Sequence, residues 1–183
     1  ENRLRYVPPG TAGTGKRLSA GSRASYLLRQ KADLAASFPT EKDAILPWAE
    51  KQFSKNILFT QRARNSLRKF DGKPDCAIIC DGILYLDAYA RFRQGSLDSE
   101  TFALYSERYC WNITFCGAEA LRVYNHAYLA QTADGKMYLL NMPIKYGVKV
   151  QELVRIYFCW DDALQTVILG YLPDHLPTLK DPT

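Results

Sequence analysis

The sequence predicts an α+β fold in which N-terminal helices pack on a C-terminal twisted antiparallel β-sheet. Apolar residues recur at helical spacing through the first half, and the period shifts toward two after Trp111. An Asp134-Gly135 pair between two apolar runs adds a strong hairpin signal. With 183 residues, 47% of them apolar and 23% charged, the chain suits one compact domain with an appendage.

Residues 1–21 are rich in Gly, Pro, Ser and Thr without periodicity and read as a flexible basic arm. Residues 22–55 read as a helical extension. In it Leu27, Leu28 and Leu34 recur at helical spacing from Ser22 to Ser37, and Pro47 is expected to open a short helix carrying Trp48 and Phe53. Residues 56–178 form the α+β unit. Ile57–Phe59 reads as a strand, Thr60 as an N-cap, and Ala63, Leu67 and Phe70 as one helix face. Asp75 caps a second helix with Ile79, Ile83 and Leu86 on its apolar face, ending near Gly95. Asp98 or Ser99 opens a third, reaching about Tyr109. Strands are then expected at Trp111–Phe115, Val123–Ala130, Met137–Ile144, Leu153–Trp160 and Thr166–Tyr171, with a turn at Asp161-Asp162-Ala163.

Composition narrows the function classes. No apolar run approaches the roughly 18–20 residues of a membrane span, and no signal peptide is recognisable, so a soluble cytoplasmic protein without a membrane partner is expected. The five cysteines (Cys76, Cys80, Cys110, Cys116 and Cys159) form no C-x-x-C pair, and the two histidines, His126 and His175, offer little for a metal centre. Neither metal nor cofactor is expected. Gly10 to Lys16 spells part of a phosphate-binding loop, but Arg17 stands where Ser or Thr would hold magnesium, so a plain basic arm competes with that reading.

Charge is uneven. Residues 1–75 hold 15 Lys and Arg against 7 Asp and Glu, whereas residues 76–183 hold 9 against 12, so the first part carries +8 and the rest −3. Arg62, Arg64, Arg68 and Lys69 project from the helix after Thr60, opposite its apolar face. That geometry either tracks a phosphate backbone or is simply solvated.

Two stretches resemble the RelE/ParE toxin-like superfamily. One is the strand and helix Ile57-Leu58-Phe59-Thr60-Gln61-Arg62-Ala63-Arg64-Asn65-Ser66-Leu67. The other runs from Lys145 through Gly147, then Leu153-Val154-Arg155-Ile156-Tyr157-Phe158-Cys159-Trp160-Asp161, a turn, Val167-Ile168-Leu169-Gly170 and His175. The resemblance implies helices on a twisted antiparallel sheet. It also implies a bacterial or phage-borne toxin or defence effector, either an mRNA interferase acting with the ribosome or a gyrase inhibitor. By position, Arg155 and Lys145 correspond to basic residues of the concave sheet surface and His175 to the late catalytic or substrate-contacting group. The chain is longer than the family's usual members, and its sheet portion is net acidic.

The chemistry also follows from residue types. Metal-independent RNA cleavage activates a 2′-hydroxyl, stabilises a phosphorane and protonates a leaving oxygen, and Lys145, Arg155, Tyr157 and His175 supply such a catalytic set. Each has a structural alternative. Arg155 could pair with Asp161 or Glu152, Tyr157 could be core, and His175 could tie down the chain's exit. Strand alternation puts Arg155 and Tyr157 on one face and Ile156 and Phe158 on the other. Glu119 reads as a buried anchor, a base or an exposed residue, and Cys159 as inert core. The expected function is a metal-independent ribonuclease working on RNA or the ribosome. The alternative is a non-catalytic nucleic-acid or protein-docking module of a toxin-antitoxin or antiviral defence assembly, partnered by an antitoxin or larger complex.

Overall fold

The computed structural model describes residues 20–147 and 153–180. Helices dominate the first half: α1 (Ala20–Ala36), α2 (Lys42–Phe53), α3 (Gln61–Lys69), α4 (Cys76–Arg93) and α5 (Ser99–Ala103). Short α6 (Ala118–Val123) and α7 (Asn125–Tyr128) follow. The strands are β1 (Ile57–Phe59), β2 (Leu129–Gln131), β3 (Met137–Leu139), β4 (Met142–Tyr146), β5 (Val154–Asp161) and β6 (Thr166–Tyr171). A four-stranded sheet runs β1-β6-β5-β4, and β2 and β3 form a separate hairpin.

Capping residues behave as their chemistry demands. The Thr60 hydroxyl accepts from the Ala63 amide, the Asp75 carboxylate from Ala77 and the Asp98 carboxylate from Thr101, so each satisfies an amide left over at a helix start. The β2–β3 hairpin turns at Asp134-Gly135, with Gly135 at φ +87°.

The α+β class holds, but the sheet is mixed rather than antiparallel. β4, β5 and β6 are antiparallel, whereas β1 pairs parallel to β6 through Ile57↔Val167 and Phe59↔Leu169. α3 and α4 lie between those two strands in the sequence, which leaves ample chain for a parallel return. Further expectations change, and the single strand expected at Met137–Ile144 is divided between β3 and β4. Pro47 lies inside α2, in its second turn, where it forgoes the bond its amide would make to the Asp43 carbonyl, a cost offset by burial of Ile45, Ala49 and Phe53 on the same helix. The third helix stops at Ala103 and gives way to turns. Val123–Ala130 is mostly helical, since Leu121, Tyr124 and Tyr128 recur at helical spacing and pack in a small core, overriding the strand preference of Val and Tyr. Trp111–Phe115 makes only one bridge, Ile113↔Ile144, because Pro143 beside it in β4 has no amide hydrogen to donate.

Two apolar layers enclose β5. On one face Val154, Ile156 and Phe158 pack in the main core with Ile79, Ile83 and Leu86 of α4. α4 is buried all round from Ile79 to Ala90, not on one face as its periodicity suggests. α2 joins the same core through Ile45, Ala49 and Phe53. On the other face a smaller cluster of Tyr128, Ala130, Leu140, Tyr157 and Leu176 covers the strand. Gly170 of β6 makes that second layer fit, since a Cβ there would fall on the Leu140 side chain, with its Cγ only 2.8 Å away. Gly170→Ala is therefore expected to cost about 1–3 kcal/mol by overpacking, read by urea denaturation. A loss of only a few tenths would show the second layer to be loose.

Candidate functional site

β4 and β5 carry the sequence-predicted catalytic residues, and their register sets the geometry. Lys145 lies directly opposite Arg155, so the two cations share a sheet face on adjacent strands. Lys145 is exposed and Arg155 half-buried. The Arg155 guanidinium donates through one nitrogen, Nη1, to the carbonyls of Tyr146 and Val154, both at 2.9 Å, and burial lowers its pKa. Among the described residues no carboxylate forms an ion pair with either cation. Asp161, weighed above as a partner for Arg155, binds elsewhere, and Glu152 lies outside the described residues.

The chain leaving β6 folds back over the start of β5. The Arg155 amide donates to the Pro173 carbonyl at 2.7 Å, and the Leu176 amide donates to the Tyr157 phenol oxygen at 3.2 Å. These bonds hold the backbone on both sides of half-buried His175 against the start of β5. His175 Nδ1 and Arg155 Nε are buried nitrogens without a hydrogen-bond partner among the described residues.

Tyr157 does not join an accessible catalytic set. It is 2% exposed, its ring meets Tyr128 edge-on at 5.9 Å, and burial raises the phenol pKa. Alternation assigned its face correctly, but the second layer seals that face.

The basic helix divides in the same way. Arg62 points inward, donating to the carbonyls of Ala127 and Leu129 at 2.7 and 2.8 Å, with its guanidinium 4.8 Å from the Tyr171 ring centre. It fastens α3 to β2, and burial lowers its pKa. Arg64 pairs with Glu50 and donates to the Phe59 carbonyl. Arg68 and Lys69 remain exposed, so half of the predicted cationic face serves the fold.

Sequence reasoning missed the most strongly held carboxylate. Asp161 accepts from Lys136 Nζ at 2.7 Å and Tyr138 Oη at 2.6 Å through one oxygen, and from the Ala163 and Leu164 amides through the other. These donors hold its pKa well below the ordinary carboxylate range. Asp161 pins the β2–β3 hairpin to β5 and, with both oxygens occupied, is unsuited to proton transfer. The acidic turn was legible, but its side-chain donors, Lys136 and Tyr138 of the hairpin, were not. Glu119 is exposed beside Arg122, and the Cys159 thiol is buried and pushed up to about 12.

Concavities of about 570 and 630 Å³ flank β1, lined by Leu58, Phe59, Arg64 and Leu164 in common. Neither includes Lys145, Arg155 or His175. Among the described residues no group of three or more His, Cys, Asp or Glu could hold a metal, and no helix is long and apolar enough to cross a membrane. The Gly10 to Lys16 loop lies outside the described residues. No protein-family model, curated protein or solved structure matches the chain.

A depressed carboxylate contributes stability above its unfolded-state pKa of about 3.9 and loses it as pH falls. Asp161→Asn should therefore lower Tm at pH 7 and flatten the fall of Tm between about pH 5 and pH 2. An acid limb parallel to the wild type's would contradict this role.

Proposed function

We propose that the chain is a metal-independent ribonuclease of RelE-like character that engages RNA at the rim formed by Lys145, Arg155 and His175. The observation that carries the reading is the Lys145–Arg155 pair: two cations directly opposed on neighbouring strands, with no paired carboxylate among the described residues. Like charges so placed repel, and a phosphodiester between them would turn that repulsion into binding.

The chemistry follows from this set. The 2′-oxygen attacks phosphorus and the 5′-oxygen departs, leaving a 2′,3′-cyclic phosphate and a 5′-hydroxyl. Lys145 and Arg155 stabilise the added charge of the phosphorane. His175 takes the 2′-hydroxyl proton and returns it to the 5′-oxygen, a task suited to imidazole near neutral pH. Tyr157 takes no part in bond making.

A second reading rests on a different observation. Arg155, Arg62 and Arg64 all donate to backbone carbonyls, as arginines of a non-catalytic docking module would. Binding without cleavage, falling steeply with salt, would indicate nucleic-acid docking, whereas salt-insensitive capture would indicate a protein partner.

The direct assay incubates purified protein with mRNA, alone and with translating ribosomes. Cleavage by wild type and a loss of at least about 100-fold in folded His175→Ala and Arg155→Ala variants is expected. Intact RNA under both conditions would end the ribonuclease reading.

A further inference from the structure

The segment Leu172–Pro177 is anchored everywhere except at its centre. Leu172 is fully buried in the main core and Leu176 in the second cluster. Four hydrogen bonds hold its backbone: Leu172 N–H to the Ser66 hydroxyl at 3.4 Å, Arg155 N–H to the Pro173 carbonyl at 2.7 Å, Leu176 N–H to the Tyr157 phenol oxygen at 3.2 Å, and Tyr128 O–H to the Pro177 carbonyl at 2.9 Å. Asp174 and His175 bridge these anchors, and no hydrogen bond of either side chain is found among the described residues. Where His175 sits is therefore decided by the bonds on its flanks.

We infer that Tyr157, helped by Tyr128, is a positioning residue that fixes His175 against Arg155 by clamping the chain that carries it. The consequence for catalysis rests on the ribonuclease reading, but the clamp itself does not. Tyr157 suits the task because its ring is packed against Tyr128 and its phenol oxygen is the only atom that must be kept. Burial raises its pKa, so it stays neutral through the physiological range. The residue that sequence alternation grouped with the catalytic cations thus acts one step removed, through the Leu176 amide.

Tyr157→Phe keeps the ring and removes the acceptor, and Tyr128→Phe loosens the same segment from its far side. Amide exchange at Leu176, NMR resonances of the His175 ring, and kcat and KM on RNA are measured for both and for wild type. Tyr157→Phe should speed Leu176 exchange about fivefold or more, the effect of losing one ordinary hydrogen bond. It should also displace the His175 ring resonances and lower kcat at unchanged KM. Tyr128→Phe should displace the same resonances, and it carries the test if Tyr157→Phe fails to fold. Unchanged Leu176 exchange and His175 resonances in the folded variants would overturn the clamp, whatever the cleavage assay shows. Displaced resonances in a protein whose wild type cleaves no RNA would uphold the clamp and remove the ribonuclease reading.

Discussion

β5 lies between two apolar layers, and most of what the molecule can do follows from that enclosure. On one side Val154, Ile156 and Phe158 meet α4, a helix so surrounded that even Asp81 and Asp87 are buried along it. On the other, Tyr157 and Leu140 meet α7, the hairpin and the returning chain. A strand covered on both faces can offer chemistry only at its ends. One end is occupied by Asp161, whose oxygens are satisfied by four donors. The other holds Arg155 beside Lys145, with the backbone on both sides of His175 held against the start of β5.

Local signals in the sequence reached the local structure. Thr60, Asp75 and Asp98 cap the helices they were expected to cap, and the hairpin turns at Asp134-Gly135, because each of these depends on a few neighbouring residues. The errors are long-range. Nothing near Ile57–Phe59 shows that it will pair in parallel with a strand some hundred residues later. Nor does Val123–Ala130 show that a core on the far side of β5 will draw Tyr128 inward on a helix.

The same division runs through the site. Alternation places Arg155 and Tyr157 on one face, but what lies over that face comes from Tyr128 and Leu176, which the pattern of β5 cannot reveal. The cationic face of α3 was legible as a face, whereas the inward turn of Arg62 toward two carbonyls depends on where α7 ends. A guanidinium's five donors suit phosphate and backbone carbonyl alike, so an arginine-rich stretch leaves its partner open until the fold is known. In this chain Arg62 and Arg64 hold the fold, Arg68 and Lys69 face solvent, and Arg155 is shared between backbone and rim.

The central claim is that phosphodiester recognition takes place at the rim where β4 and β5 end, and the most direct test is an NMR titration of the isotope-labelled protein with a short single-stranded RNA. Shifts should concentrate at Lys145, Arg155 and His175, weaken with added salt, and leave Lys136, Tyr138 and Asp161 unmoved. Shifts confined to the exposed face of α3, or none at all at millimolar RNA, would contradict the account.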